Sequence, residues 1–357
     1  RRNTRRIWGV EHMFYELAEK IIRLEQSGRK VVKLNIGDTN LPAPKVAVEA
    51  ARKALERSTG YGSSAGLLEL RELAARREGC AVENIVVGPG SKHLIYGLMG
   101  VLASKGKKVA VPAPNWPMYG LACRSLGLEA VHVKTSMEEK WQFDAIPKAD
   151  ITIICNPNNP TSTTYGKVKV EGAIGNAKRR KSYVILDEAY RDLAFSKIPS
   201  FDCIRVRSFS KEFNMENWRL GYAVVPKEVA KKLVAYNQIT ATCVAPFVQA
   251  AGVACLENEK PILAANREIW KARMDAASSA LRHEGFKFAA PQSAMYVFAT
   301  HDGISDAGAF AMKLLEAGVA VAPGADFGEM KFFRIACNRE PEVLREAIGK
   351  MGEAAKS

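Results

Sequence analysis

Between about residues 85 and 225 the chain alternates short apolar runs with amphipathic helical stretches such as 92–103, 118–126 and 167–180. This alternation restricts the fold more than any other feature. Continuous apolar strands separated by helices are typical of a mostly parallel sheet that is covered by helices on both faces. We therefore predict an α/β domain with seven strands, at 85–87, 109–111, 130–133, 151–154, 184–186, 204–206 and 222–225.

The two ends of the chain have a different pattern. Residues 11–25 form an amphipathic helical pattern, and helical patterns dominate from Pro246 to about residue 283. Further strands are predicted at 296–299, 319–322 and 332–335, with helices at 305–316 and 341–350. A chain of this length usually divides into two domains. We predict a large α/β domain over 39–245 and a smaller α+β domain built from 1–38 and 246–357.

Composition excludes several classes of protein. With 47% hydrophobic and 25% charged residues, the chain is neither disordered nor a small disulfide scaffold. No run approaches the ~20 apolar residues of a membrane span, and the basic start is not followed by an apolar signal segment, so we expect a cytoplasmic protein. The net charge of +14 suits nucleic acid, anionic ligands or an ordinary solvated surface.

Cysteine and histidine spacing indicates neither disulfides nor a metal. The seven cysteines are far apart, and no two are separated by only two residues. The five histidines lack the i, i+4 pairing of a helical metal site. We therefore expect buried thiols and no metal ligands.

Polar residues follow several predicted strands. Gly90, Ser91 and Lys92 stand where a strand meets a helix, a place that favours a phosphate, although a tight turn capped by Ser91 explains them equally well. No complete nucleotide-binding motif is present. The loop 156–161 contains two prolines and three asparagines at the carboxyl end of a strand, where ligands bind in open α/β sheets.

Two charged residues stand close to apolar strands. Asp187 ends the run 184–186, and a buried acid there needs a cation or a donor, or else caps the following segment. Lys211 follows the run 204–206 with Ser208 and Ser210 before it. A lysine in a partly desolvated site loses its proton readily and can form imines, whereas most single lysines are surface charges.

Together, in this order, these segments closely resemble the fold-type I pyridoxal-phosphate (PLP) aminotransferases of the aspartate aminotransferase superfamily, class I/II. The resemblance covers nearly the whole chain. It implies the PLP-dependent transferase fold, with a large domain and a smaller α+β domain, and ping-pong transfer of an amino group from an L-amino acid to a 2-oxo acid. The blocks that carry it are 34–38, Tyr61, 90–92, Trp116, 159–161, 187–190, 208–211, Arg219 and 333–335.

The resemblance also implies roles for individual residues. Lys211 would bind PLP as an imine and then move the proton, and Asp187 would pair with the pyridine nitrogen. Asn159 and Tyr190 would bond the phenolic oxygen, and Tyr190 would assist catalysis. Trp116 would stack on the ring, although it could equally be a core residue. The phosphate would be held by Gly90, Ser91, Lys92, Ser208, Ser210, Arg219 and, from the neighbouring subunit of a homodimer, Tyr61.

Substrate-binding residues implied by the resemblance are Gly37, Asn159 and Arg334. Arg334 would bind the substrate α-carboxylate through its planar guanidinium, or else it is a surface arginine at a strand end. Ser162 departs from the family, which usually has glycine there, so its loop must turn without a residue that freely adopts positive φ or accept mild strain. No motif identifies an arginine for a distal carboxylate, which leaves aspartate, alanine, glutamate and aromatic amino acids as candidate donors.

Other functions are compatible with parts of this pattern. A histidinol-phosphate-type transaminase or a C–S lyase would share the fold and the cofactor. A DNA-binding regulator that keeps an aminotransferase-like domain would need an added domain, and only about thirty residues precede the block 35–38. We therefore expect amino-acid and 2-oxo-acid substrates and no nucleic-acid or membrane partner.

Overall fold

The computed structural model of the protein describes residues 13–57 and 60–356. Its strands, in chain order, are β1 (Val32–Lys33), β2 (Ile85–Gly88), β3 (Lys108–Ala113), β4 (Glu129–Lys134), β5 (Ile151–Cys155), β6 (Tyr183–Asp187), β7 (Ile204–Ser208), β8 (Gly221–Val224), β9 (Lys287–Phe288), β10 (Tyr296–Thr300), β11 (Val319–Ala320), β12 (Ala322–Pro323) and β13 (Phe333–Ala336).

The helices of the same residues frame these strands. They are α1 (Met13–Gln26), α2 (Lys45–Leu55), α3 (Leu68–Glu78), α4 (Ser91–Leu102), α5 (Met118–Leu126), α6 (Lys167–Arg179), α7 (Phe209–Glu212), α8 (Lys227–Thr240), α9 (Pro246–Glu257), α10 (Glu259–His283), α11 (Ala307–Glu316) and α12 (Pro341–Lys356).

A seven-stranded sheet with the order β2-β8-β7-β6-β5-β3-β4 forms the centre of the molecule. Strand β8 runs opposite to the other six strands, which are mutually parallel, and all seven predicted apolar runs form strands of this sheet. On one face Ile185 and Val206 belong to a core shared with Leu94 of α4, and on the other Leu186 packs with Ile174 of α6. The prediction of a mostly parallel sheet with helices on both faces is confirmed.

The chain ends build two smaller sheets. One is antiparallel with the order β12-β13-β10-β9, and the other is the parallel pair β1-β11. The prediction of one strand over 319–322 is wrong, because β11 pairs with β1 whereas β12 pairs with β13. Residues 319–322 are all buried, so the apolar run is continuous while the backbone changes its partner. Periodicity does not show such a change.

The N-terminal helix packs against the C-terminal part of the chain. Leu17 and Ile21 of α1 share a buried cluster with Leu315 and Ala320. Helix α9 instead packs on α2 and α3 beside the central sheet. The division between two domains stays a proposal, and the packing of α9 favours a boundary after Glu257 over the predicted one at 245/246.

Among the described residues, no helix is both long and apolar enough to cross a membrane. The cytoplasmic location stays a prediction.

Candidate active site

The carboxyl ends of three parallel strands and the N-terminus of α4 form the candidate site. In the register of the sheet, Cys155 lies beside Asp187 and Asp187 beside Val206. The loop 156–161, the segment after Asp187 and the turn at Ser208 therefore leave the sheet at one edge. This is the arrangement that the polar residues at the strand ends predict.

Asp187 is a buried carboxylate held by two hydrogen bonds. Its Oδ2 accepts from the Tyr119 hydroxyl at 2.7 Å, and its Oδ1 accepts from the Ala189 N–H at 3.1 Å. No lysine or arginine in the described part of the chain forms an ion pair with it. Burial raises its pKa from 3.8 to about 6, against the lowering effect of these bonds. The site thus contains an acid that lacks a cation.

Lys211 stands on the short helix α7, which begins after Ser208. The Ser208 Oγ accepts from the Ser210 N–H at 3.2 Å and so caps this helix. The Lys211 Nζ donates to the Gly37 carbonyl and lies 3.7 Å from Oε1 of Glu216. Burial lowers the pKa of Lys211. The surface alternative for Lys211 is wrong, since its side chain is only 15% exposed.

A chain of hydrogen bonds joins Arg334, Asn159, Tyr190 and Tyr296. The Asn159 amide donates to the Tyr190 hydroxyl at 3.3 Å, and Tyr190 shares a second hydrogen bond of 3.1 Å with the Tyr296 hydroxyl. The Asn159 Oδ1 accepts from Nη1 of Arg334 at 3.0 Å. These groups come from a loop of the central sheet and from the smaller sheet, so the site spans both.

Arg334 is buried in β13 with a fixed orientation. Its Nη2 donates to the Asn35 carbonyl at 2.7 Å, and its guanidinium carbon lies 4.3 Å and 4.9 Å from the ring centres of Tyr296 and Phe327. The side chain is 4% exposed and its Nε has no hydrogen-bond partner. The surface alternative for Arg334 is therefore wrong, and a planar cation is held ready for an anion.

The N-terminus of α4 faces a second arginine. Gly90, with φ of +82°, is its N-cap, and no side chain caps this helix, so the prediction of a capping Ser91 is wrong. A Cβ on Gly90 would lie 2.4 Å from Nη2 of Arg219, which leaves this place to glycine. Nη1 of Arg219 donates to the Glu216 carbonyl at 2.7 Å. Uncapped N–H groups beside a guanidinium form an anion-binding corner.

Lys92 and Trp116 lie at the same end of α4. The Lys92 Nζ is 5.2 Å from the centre of the Trp116 ring, and burial together with Arg219 lowers the pKa of Lys92. Trp116 is half-buried and packs edge-on against Tyr119, with 5.5 Å between ring centres. Through Tyr119 the tryptophan is one contact away from Asp187.

Gly37 and Tyr61 differ in their surroundings. A Cβ on Gly37 would lie 2.1 Å from the Tyr296 hydroxyl, so the backbone there approaches the site only because it lacks a side chain. Tyr61 is 90% exposed, and the fold of one chain does not bring it to the other site residues.

Ser162 adopts the left-handed backbone conformation that glycine adopts most freely. Its φ is +53°, as the sequence prediction of mild strain requires. Its Oγ accepts from the Tyr296 N–H at 3.1 Å, and its carbonyl accepts from the Gln292 N–H at 2.9 Å. The hydroxyl thus forms a bond that glycine could not, which offsets the strain.

The sequence prediction missed three residues of this site, namely Tyr119, Tyr296 and Glu216. Tyr119 follows Trp116 by three residues at the start of α5, and Tyr296 is the first residue of β10. Glu216 precedes Arg219 by three residues. A hydroxyl or a carboxylate at such positions is a weak signal, and only the fold shows which buried group it contacts.

Comparison with known proteins agrees with this geometry. The family model "Aminotransferase class I and II" matches residues 29–351. Aspartate aminotransferase of Thermococcus kodakarensis is 35% identical, covering 94% of this chain and 92% of that protein. Aspartate/prephenate aminotransferase of Thermus thermophilus is 31% identical, covering 92% of both chains.

Solved structures agree as well. The aspartate aminotransferase from Thermus thermophilus with maleate superimposes with a TM-score of 0.91 at 30% identity, covering 96% of each chain. The chain therefore belongs to the class I and II aminotransferases, the PLP-dependent family expected from the sequence, and it is an enzyme that transfers amino groups.

Proposed function

We propose that the chain binds PLP between Asp187 and the N-terminus of α4 and moves an amino group from an L-amino acid to a 2-oxo acid in two half-reactions. The observation that carries this proposal is the placement of two buried groups with shifted pKa values after neighbouring parallel strands. Asp187 ends β6 as a buried acid without a cation among the described residues, and Lys211, on the helix that follows β7, is a buried amine whose pKa is lowered. Such perturbed groups mark functional sites.

The residues present fit the cofactor. The unpaired carboxylate of Asp187 suits a protonated pyridine nitrogen, and the linked Asn159 and Tyr190 suit a phenolic oxygen. The uncapped α4 N-terminus would hold the phosphate. Arg219 lies beside Gly90, and Ser208 pairs with Gly221, whose backbone lies against Ser91. Together with Ser210 they would bind the phosphate, and Trp116 would cover the ring.

The chain's own groups would then do the following work. Bound PLP supplies an electron sink for the substrate Cα. Burial lowers the pKa of Lys211, which favours the neutral amine whose Nζ would take and return the Cα proton. Asp187 and Tyr119 hold the negative charge that keeps the cofactor's nitrogen protonated. Tyr190, within reach of Asn159 and Tyr296, orients a proton at its hydroxyl.

Arg334 is proposed to bind the α-carboxylate of the substrate. Its guanidinium is already held by Asn159, by the Asn35 carbonyl and by two aromatic rings. Little side-chain entropy remains to be lost when an anion arrives, which favours binding. The free Nε is an additional donor. Gly37 leaves room for the backbone to close beside that carboxylate.

The amino donor and the assembly are also proposals. Relatives named aspartate and aspartate/prephenate aminotransferase support aspartate as the first donor to test. The 90% exposure of Tyr61 supports a homodimer in which this residue reaches the phosphate site of a neighbouring copy.

The test is spectroscopic. We expect the purified chain with PLP to show a visible absorption band of covalently bound cofactor, and aspartate to abolish that band until a 2-oxo acid restores it. Lys211→Ala should show no such band. A band that Lys211→Ala retains unchanged would contradict the proposal. Restoration by 2-oxo acids, in a panel that also contains alanine, glutamate and aromatic donors, separates an aminotransferase from a lyase.

A further inference from the structure

Glu216 lies where three parts of the active site meet. It begins a single turn of 3₁₀ helix, Glu216–Trp218, that directly precedes Arg219. Its carboxylate accepts from the Thr39 N–H, and the same oxygen lies 3.7 Å from the Lys211 Nζ. Its backbone carbonyl accepts from Arg219. One residue therefore contacts the proposed cofactor lysine, a proposed phosphate ligand and the N-terminal segment 35–39.

Segment 35–39 lies against the site residues. Gly37 provides the carbonyl that accepts from Lys211, and Asn35 provides the carbonyl that accepts from Arg334. Farther along, the Thr39 carbonyl accepts from Nη1 of Arg273 at 3.1 Å. The Glu216 carboxylate accepts from the N–H of Thr39, so the backbone at Thr39 is fixed from two sides. The position of the carbonyl over Lys211 depends on this anchor.

Four charged groups from different elements face Lys211. Glu216 and Asp38 favour its ammonium form, whereas Arg334 and Arg219 disfavour it, and burial disfavours it most. Glu216 is the acid with the largest effect on the pKa of Lys211. Its side chain is 22% exposed and that of Lys211 15%, so water screens the pair only in part.

We propose that Glu216 is a positioning residue for Lys211. The Glu216 carboxylate is the counter-ion of the free lysine and at the same time anchors segment 35–39 beside that lysine. This inference rests on the proposed function, in which the lysine is free during part of each cycle. While the lysine is free, its amine needs a partner that keeps it beside the reacting carbon. Glu216 provides that partner without touching the substrate-binding Arg334.

Two substitutions separate the charge from the anchor. Glu216→Gln removes the charge but keeps an oxygen that accepts from the Thr39 N–H, whereas Glu216→Ala removes both. Glu228→Gln, on the exposed surface of α8, is the matched control. Because Glu216 is partly exposed, we expect all three full-length variants to fold, which circular dichroism checks.

The first readout is the pKa of Lys211 in the full-length chain without PLP, from pH-dependent acetylation followed by peptide mass spectrometry. We expect its midpoint to fall by about 1 pH unit in both Glu216 variants, since an opposite charge at this range typically shifts a pKa by about 1–3 units. Glu228→Gln should leave it unchanged. An unchanged midpoint in Glu216→Gln overturns the counter-ion role.

The second readout is hydrogen exchange of the peptide that contains Thr39. We expect exchange about tenfold faster in Glu216→Ala, corresponding to the loss of a hydrogen bond of roughly 1.4 kcal/mol, and near the wild-type rate in Glu216→Gln. Wild-type exchange in Glu216→Ala overturns the anchoring role. Neither readout requires bound PLP, so a failure of the proposed function, detected with Lys211→Ala, is distinguished from a failure of this inference.

Discussion

Two regions of buried charge lie next to each other on β6, β7 and α7, and they differ in whether their buried carboxylates pair with arginines. Asp187 and Lys211 belong to the active site, whereas the next residues, Glu188 and Glu212, belong to what we term the ion cluster. The members of this cluster are Arg77, Glu78, Glu188, Asp192, Arg205, Arg207 and Glu212.

Every charge of the ion cluster has an opposite partner. Arg207, only 2% exposed, contacts Asp192 and lies 3.3 Å from Glu212 and 3.7 Å from Glu188. Burial alone would raise the pKa of Asp192, but the guanidiniums of Arg207 and Arg77 hold it well below its usual range. Asp192 is thus kept ionised, whereas at the fully buried Glu212 burial outweighs the same two arginines and raises the pKa to about 8.

The active site leaves one buried charge unbalanced. Asp187 pairs with no lysine or arginine of the described residues and its pKa is raised, whereas Lys211 has Glu216 at 3.7 Å and burial lowers its pKa. Burial of charge is therefore not what distinguishes the functional region, because the ion cluster buries more of it. The distinguishing feature is the missing partner, which a ligand can provide.

The largest expected effect comes from breaking the balance of the ion cluster. Arg207→Met removes the cation that Glu78, Glu188, Asp192 and Glu212 share. Each of these carboxylates keeps another arginine, but the buried negative charge then exceeds the positive, and we expect the free energy of unfolding to fall by about 3–5 kcal/mol. Urea denaturation measures it. The control is Lys178→Met, whose ion pair with Asp202 joins side chains that are 61% and 94% exposed and should change stability by less than about 1 kcal/mol. Equal effects would remove the contrast.

Asp187→Asn should reduce activity strongly and leave stability intact, whereas Arg207→Met mainly reduces stability. We expect kcat/KM for amino transfer to fall by about 10²–10³-fold, because the variant loses the carboxylate that we propose to pair with the cofactor's nitrogen. Unfolding free energy at pH 7 should not decrease, since a buried unpaired charge is removed. Steady-state kinetics and urea denaturation measure the two. A stability loss comparable to that of Arg207→Met would make Asp187 a structural residue.

The pH dependence of stability sharpens the same point. In the chain without PLP the pKa of Asp187 is about 6 in the folded state against 3.8 ordinarily, so the folded form keeps its proton to higher pH. The wild type should therefore lose about 2 kcal/mol of stability relative to Asp187→Asn as pH rises from about 4 to about 6. Denaturation of both proteins across this range measures the difference. A constant difference would show that the carboxylate is not destabilised.

The smallest expected effect concerns the hydroxyl that supports Asp187. Tyr119→Phe removes a donor 2.7 Å from its Oδ2 and should lower kcat/KM about tenfold, in line with a hydrogen bond to a charged group of roughly 1.5–3 kcal/mol that water partly replaces. The raised pKa of Asp187 should rise further, as the pH series above would show. Tyr183→Phe, at the exposed start of β6, is the control.

The sequence predicts one of these regions better than the other. The candidate active site could be proposed from the sequence because its residues stand near strand ends in blocks that resemble those of the family, as Asp187 and Lys211 do. The ion cluster could not be predicted in this way. Arg205 and Arg207 alternate with Ile204 and Val206, and the apolar residues of this run indicate a strand without indicating what the arginines contact. The carboxylate with which an arginine pairs depends on long-range packing, and a local sequence pattern does not indicate that packing. Tyr119 was missed for the same reason.

The close approach at Gly37 constrains how this site can vary. The Tyr296 hydroxyl occupies the place where a Cβ on residue 37 would stand, and the same hydroxyl bonds Tyr190. A homologue or designed variant with a side chain at position 37 therefore has to move that hydroxyl or carry a shorter residue than tyrosine at 296, which leaves Tyr190 with Asn159 as its remaining partner. Positions 37 and 296 are thus coupled although they are distant in sequence, so a change at position 37 alone should weaken the site.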